Sequence, residues 1–155
     1  MPRQAANRFQ NRPGDDPLLL ENIENCPDRF TRLNRSTRGA AWTRTPLGED
    51  EQALEWSECM VLGESYVVRP YAPEAKSDLE MVHGDLIFLR NSFPDRDMIL
   101  DLVRFEQVPV AMVGWMFAIG EELAERECQL VLMGLTPAMM PPVLMNRVLS
   151  EFEVI

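Results

Sequence analysis

Few residues in this chain have the types and spacing that catalysis or metal binding requires. His83 is the single histidine, and no second histidine or cysteine stands near it to complete a metal site or a nucleophile and base pair. Cys26, Cys59 and Cys128 are widely spaced and form no Cys-x-x-Cys pair, which predicts reduced structural thiols rather than zinc ligands or a disulfide framework. We therefore expect His83 to be partly buried packing and no metal to be bound.

The sequence also gives little support for a cluster of catalytic or metal-binding carboxylates, or for a glycine-rich phosphate-binding loop. The carboxylates that could form a metal or acid and base cluster stand in one short stretch: Glu121, Glu122, Glu125 and Glu127. On the outer face of an amphipathic helix, such a group is usually solvated. Gly114 and Gly120 fall inside the same segment and lack the loop that a phosphate-binding motif needs. These patterns predict a protein that is not an enzyme and binds no cofactor.

Two nearly continuous apolar runs of strand length, residues 98–103 and 128–134, indicate strands that are covered on both faces. Between them, four apolar residues recur at helical spacing: Met112, Met116, Ile119 and Leu123. A strand, a helix and a strand of this length form a right-handed parallel crossover. The predicted fold class is α/β.

The segment before this crossover predicts a hairpin and a helix. Two short strands flank the turn at Gly63 and Glu64, and Pro70 ends the second strand. The helix has its apolar residues on one face, Leu79, Val82, Leu86 and Leu89. Pro94 is expected to stop this helix.

The C-terminal segment predicts a further helix and a last strand. Thr136 can cap a helix that has Pro137 in its first turn. Pro141 and Pro142 should break or restart that helix after one turn, because each lacks an amide proton. Residues 152–155 suit a short final strand. Together these segments predict a mixed sheet of about four to five strands covered by about four helices.

An N-terminal extension, residues 1–53, is predicted to precede a globular domain at residues 54–155. The extension is expected to be partly irregular, with one short helix. Asp16 can cap this helix and Pro17 fits its first position, while Leu18, Leu19 and Ile23 form a short apolar face that could dock on the domain or on a partner.

The charge of the chain argues against nucleic acid as a partner, and its hydropathy argues against membrane insertion. Residues 1–50 carry eight Arg against seven acidic residues, whereas residues 51–155 carry seven basic against eighteen acidic residues. An acidic domain argues against nucleic acid, because phosphate binding needs a positive surface. No apolar run approaches the about twenty residues of a membrane span, and the N-terminus lacks the centre of a signal peptide. We expect a cytoplasmic protein without membrane insertion.

The order of motifs around the crossover helix resembles the STAS domain (sulfate transporter and anti-sigma factor antagonist). In that family an apolar strand ends in Asp-Leu-Ser-Gly, and Asp-Ser-Ser/Thr-Gly-Leu-Gly opens a helix. Here Asp101 and Leu102 match the strand end, and Val113 and Gly114 match the Leu-Gly. The resemblance implies a STAS-like fold.

The C-terminal stretch carries the resemblance further without a gap. Residues 128–134 resemble the family's next strand, residues 135–137 its Leu-Ser-Pro cap, and residues 151–155 its closing Leu-Phe-Glu-Val-Phe. The resemblance is strongest over residues 97–155, extends more loosely back to about residue 54, and does not include the first fifty residues.

The head of the crossover helix departs from the family pattern. In members that are switched by phosphorylation, a serine or threonine here accepts phosphate from a kinase that is also the anti-sigma factor, at a position favoured by free backbone amides and the helix dipole. In this chain the slot is occupied by Pro109, Val110, Ala111 and Met112, none of which can be phosphorylated. Because no residue offers a capping oxygen, we expect compensating contacts within the domain or with another protein.

We therefore expect a non-catalytic signalling domain that binds a protein through Pro109, Val110, Ala111, Met112 and Trp115. For Trp115, packing inside the domain is the commoner role of such a residue, and anchoring an interface is the other. The resemblance implies an anti-sigma factor kinase or another STAS protein as partner, and a second copy of the chain is a further candidate. Two alternatives remain: a cytoplasmic subunit that docks on a membrane transporter ATPase, and a ligand-sensing domain with Trp115, Tyr71 or His83 in its pocket.

Overall fold

A five-stranded mixed sheet forms the centre of the protein. The computed structural model describes residues 41–48 and 50–155. In sheet order the strands are β1 (Ser57–Leu62), β2 (Ser65–Pro70), β3 (Asp97–Asp101), β4 (Leu130–Met133) and β5 (Glu153–Val154). Within these residues the helices are α1 (Lys76–Ser92), α2 (Val110–Glu125) and α3 (Pro142–Glu151), with a 3-10 turn at Pro137–Met139. The predicted α/β class and mixed sheet are confirmed.

The sheet begins as a hairpin and continues in parallel. β1 pairs antiparallel with β2 across a turn in which Gly63 has a φ of 55°, a left-handed conformation that glycine adopts without a steric penalty. From β2 onward, each helix carries the chain back, so that β2, β3, β4 and β5 pair in parallel. The starts of α2 and α3 consequently lie at the edge of the sheet where β3 and β4 end.

The main core lies between the helices and one face of the sheet. Each helix contributes its buried apolar side chains to this core, among them Val82, Leu86, Leu89, Met112, Met116, Ile119, Leu123, Met145 and Val148. Alternate strand residues, such as Tyr66, Leu100 and Leu132, face them. Burying an apolar side chain of this size stabilises the fold by roughly 1.5–3 kcal/mol.

A second, smaller cluster occupies the opposite face. Val67, Ile99, Val131 and Ile155 are buried there, with Trp42, Leu62 and Met133 packed against them. The two apolar runs are thus covered on both faces, as their composition predicted. The pattern is typical of strands inside an α/β sheet.

The other local predictions agree closely with the structure. The helical face predicted in α1 is buried at Val82, Leu86 and Leu89, while Leu79 is partly buried. As predicted for Pro141 and Pro142, a new helix begins at Pro142 after a single 3-10 turn. The predicted count of four helices is not confirmed, and the short helix predicted from Asp16 lies outside the described residues.

The end of the predicted extension contacts the sheet. The amide of Thr43 donates to the carbonyl of Cys59 at 2.9 Å, and the amide of Cys59 donates back at 2.7 Å. The Arg44 guanidinium donates to the carbonyls of Leu54 and Glu55. Residues 42–45 therefore extend the edge of the domain next to β1.

Asp85 is a buried carboxylate that holds two elements together. Its side chain projects from α1 and is 3% exposed. Oδ1 accepts the amide hydrogen of Glu55 and Oδ2 that of Trp56, each at 2.7 Å. Burial raises the pKa of this carboxyl, and the two amide hydrogen bonds oppose that shift. The side chain therefore fastens α1 to the segment that leads into β1.

Replacing Asp85 by Ala should lower the free energy of unfolding by about 2 kcal/mol, because it removes the acceptors of two backbone amides. Asp85→Asn keeps one acceptor oxygen and should cost about half as much. Urea denaturation of both variants measures the difference. Equal stability of Asp85→Ala and the wild type would contradict this role.

Candidate functional site

Helix α2 begins without a polar cap, as the sequence indicates. Pro109 occupies the N-cap position with φ −61° and ψ 146°, and no side chain caps the helix. The Pro109 carbonyl instead accepts the amide hydrogens of Met112 and Val113, at 3.0 and 3.2 Å. The first turn carries no acidic residue. This end of the helix is therefore apolar in every side chain from Val108 to Val113.

The five residues predicted to bind a partner differ in exposure. Val110 is 73% exposed, Ala111 is exposed, and Pro109 and Trp115 are partly buried. Met112 is fully buried in the main core. Pro109, Val110 and Ala111 thus form surface, whereas Met112 supports that surface from below.

Two further exposed valines, which the sequence pattern did not single out, belong to segments that begin at the same edge of the sheet. Val103 follows β3 and is 47% exposed, and Val143 in the first turn of α3 is 77% exposed. The amide of Val108 donates to the carbonyl of Met139 at 2.9 Å, which holds the segment before α2 against the segment before α3. We refer to Val103, Pro109, Val110, Ala111 and Val143 as the apolar corner.

An ionic network fixes the loop that leads into the apolar corner. Asp101 is 2% exposed; its Oδ2 accepts from the Arg69 Nε at 2.8 Å and its Oδ1 from the Val103 amide at 3.0 Å. Arg104 donates to Glu58 Oε1 at 2.7 Å, and Arg69 lies 3.8 Å from the same oxygen. β1, β2, β3 and the loop are thereby joined beside the corner.

Gly134 leaves room for the Val103 backbone and the Asp101 carboxylate to pack against the loop after β4. It has a φ of 78°, and a Cβ at this position would lie 3.0 Å from the Val103 amide nitrogen and 3.1 Å from Asp101 Oδ1. A larger residue would therefore push on the hydrogen bond that orients Val103. The glycine belongs to the loop after β4, so it links the two strand ends at this edge.

His83 and Trp115 form a stacked pair between α1 and α2. Their ring centroids are 4.2 Å apart and the planes differ by 7°. Both residues are partly buried, and burial, together with the charge of Arg90, lowers the pKa of His83. The histidine is therefore packing, as predicted, and Trp115 contacts it while retaining some exposed surface.

The remaining candidate groups have ordinary surroundings. Glu122 forms an ion pair with Arg90 of α1, so one member of the acidic stretch helps to dock two helices. Cys59 and Cys128 are free thiols, and burial raises the pKa of Cys59 to about 12. Within residues 41–48 and 50–155, no group of three or more His, Cys, Asp or Glu side chains is placed to hold a metal ion.

A cavity of about 430 Å³ lies away from the apolar corner, between α2 and α3 at the start of β4. Its lining includes Phe117, Gln129, Arg147 and Phe152. Tyr71, His83 and Trp115, the residues suggested for a ligand pocket, are not part of this lining.

Comparison with known proteins gives no family. No protein-family model matches the chain, and no curated protein sequence matches it either. Across the part of the chain that the structure describes, every helix is too short or too polar to span a lipid bilayer. The apolar corner and the sequence motifs around it are therefore the features that bear on function.

Installing a cap at Pro109 should stabilise the helix. The backbone angles of Pro109 suit an N-cap residue, so Pro109→Asp should provide the missing acceptor, whereas Pro109→Ala should not. The Asp variant should exceed the Ala variant by about 1 kcal/mol in the free energy of unfolding. Both lose the rigidity of proline, so their difference in chemical denaturation isolates the cap. Equal stabilities would show that the first-turn amides are already satisfied.

The partial burial of His83, together with the charge of Arg90, should make stability depend on pH. Because the folded-state pKa of His83 lies below its ordinary value of 6.5, the unfolded chain binds the proton more readily. The contribution of His83 is therefore complete above pH 6.5 and is lost as the pH falls through the lowered folded pKa. Urea denaturation between pH 7.5 and 5 should show a smaller acid loss for His83→Gln than for the wild type. Identical pH profiles would exclude this coupling.

Proposed function

We propose that the protein is a STAS-like, non-catalytic signalling domain of the anti-sigma factor antagonist type, which binds another protein through the apolar corner. The observation that carries the proposal is the 73% exposure of Val110 at the head of α2, where phosphorylatable relatives of the resembled family carry their acceptor. The order of motifs over residues 97–155 supports the same assignment.

The physical properties of the corner suit a protein interface. The described chain has five exposed large apolar side chains, Leu47, Val61, Val103, Val110 and Val143, and three of them belong to the corner. Exposed apolar side chains that are grouped together favour association, because binding removes them from water. The Asp101 network and the Val108 to Met139 hydrogen bond hold the surface in one shape, which reduces the entropy lost on binding.

The corner has no hydroxyl group that a kinase could modify. Residues 108–116 contain no Ser, Thr or Tyr, so binding here is not switched by phosphorylation at the family's usual position. A phosphate would add up to about two negative charges at this helix end. A glutamate at Ala111 reproduces part of that change and is therefore the informative substitution.

The proposed partner is an anti-sigma factor kinase or another STAS protein in the cytoplasm, and a second copy of this chain is included in that class. The acidic body of the domain makes nucleic acid an unsuitable partner. Docking on a transporter ATPase is the alternative within the resembled family. Both alternatives predict a protein partner, so the identity of the captured protein separates them.

Ala111→Glu should abolish partner binding, because it places a charge in the apolar corner. The measurement is affinity capture from native cytoplasm with the full chain as bait, followed by identification of the captured proteins. A kinase-like anti-sigma factor or a STAS protein should be captured by the wild type and reduced at least about tenfold by the variant, a loss of roughly 1.4 kcal/mol or more.

The matched control is Ala118→Glu. Ala118 is also exposed and lies in the same helix, seven residues further along, so this variant adds the same charge outside the corner. It should bind like the wild type. Equal binding by Ala111→Glu and the wild type would exclude the corner as the interface, and capture of transporter subunits alone would favour the alternative.

A further inference from the structure

Helices α2 and α3 leave a cavity between them at the start of β4. Its volume is about 430 Å³, which falls within the range of small-molecule sites in proteins, roughly 300–1,000 Å³. Leu130 lines it and is 3% exposed, whereas Glu121, Arg147 and Glu151 also line it and are exposed. The cavity therefore has an apolar interior and a charged rim that solvent reaches.

Two phenylalanines form an aromatic wall in this cavity. Phe117 of α2 and Phe152, directly after α3, have ring centroids 5.2 Å apart, and both are partly buried. Gly120 makes room for this contact, because a Cβ at its position would lie 2.8 Å from Phe152 Cε1. The faces of aromatic rings carry negative electrostatic potential and attract cations. The wall thus offers apolar surface together with a preference for positive charge.

One cation of the chain already lies on this wall. The guanidinium carbon of Arg147, Cζ, is 5.5 Å from the centroid of the Phe117 ring, within the range of a cation–π contact. Within residues 41–48 and 50–155, Arg147 has no carboxylate at salt-bridge distance. The aromatic ring, rather than an acidic partner, therefore attracts the guanidinium.

The rim of the cavity is acidic. Glu121 and Glu151 form no salt bridge in the part of the chain that the structure describes, in contrast to Glu122, which is paired with Arg90. Glu153 adds a third carboxylate to the lining. Three carboxylates against one arginine give the lining a formal charge of −2. A cleft of this sign concentrates cations and repels anions.

We propose that the cavity binds a small organic cation, an ammonium group on an apolar body. The body packs on Phe117, Phe152 and Leu130, and the ammonium group lies at the rim with Glu121 and the other carboxylates. Arg147 competes with this ligand, because both are cations attracted by the same rings and carboxylates. The site is independent of the proposed function, since the apolar corner lies at the opposite ends of α2 and α3.

NMR titration of the isotope-labelled full chain tests the proposal with two probes of equal chain length and opposite charge, hexylammonium and hexanoate. Hexylammonium should shift the amide signals of Gly120, Gln129 and Leu130 saturably at millimolar concentrations. Hexanoate should leave them in place, because the carboxylates of the lining repel it. Failure of hexylammonium to shift these signals, or equal shifts with hexanoate, would overturn the proposal.

Substitutions at exposed positions test the assignment of charges. Glu121→Gln and Glu151→Gln should each weaken hexylammonium binding about threefold, the effect of one exposed charge. The matched control is Glu125→Gln, because Glu125 is exposed one turn further along α2 and does not line the cavity; it should bind like the wild type.

Arg147→Gln gives the test its sign. Removing the competing cation should tighten hexylammonium binding about threefold, whereas a site that uses Arg147 to hold its ligand would be weakened. Weaker binding by Arg147→Gln, or the same loss in Glu125→Gln as in Glu121→Gln, would contradict the proposed site.

Discussion

The parallel pairing of β3 with β4 is the constraint on which the apolar corner depends. Parallel strands end at the same edge of a sheet, so the helices that follow them must begin side by side. The register that pairs Ile99 with Val131 and Asp101 with Met133 therefore sets the distance between the starts of α2 and α3. Val110 and Val143, which are 33 positions apart in sequence, share one edge for this reason.

An uncapped helix start is tolerable because the core beneath it contributes more than the cap would. A missing cap costs about 1 kcal/mol, whereas burial of Met112 and Val113, at 0 and 2% exposure, stabilises the fold by roughly 1.5–3 kcal/mol for each side chain. The first turn of α2 thus remains anchored from inside while its outer side stays apolar. That combination preserves a rigid surface without polar groups that would have to be desolvated on binding.

Charged side chains inside the domain act mainly on backbone geometry. Asp85 binds two amides that lead into β1, and Asp101 binds the Val103 amide together with Arg69. A buried carboxylate with such partners avoids the penalty of an unpaired charge. Part of the acidic composition of residues 51–155 is therefore structural.

The sequence by itself determined the elements. Apolar periodicity reflects burial directly, and it predicted both covered strands and the apolar face of α1. Residue types predicted the restart at Pro142 and the uncapped start of α2, because proline lacks an amide proton and the residues before α2 lack a capping oxygen. Only the tertiary structure decided which distant groups meet. Asp101 lies 32 residues from Arg69, and His83 lies 32 residues from Trp115; pairs so far apart depend on strand register and helix docking, which local patterns do not encode. The addition of Val103 and Val143 to the apolar corner has the same cause.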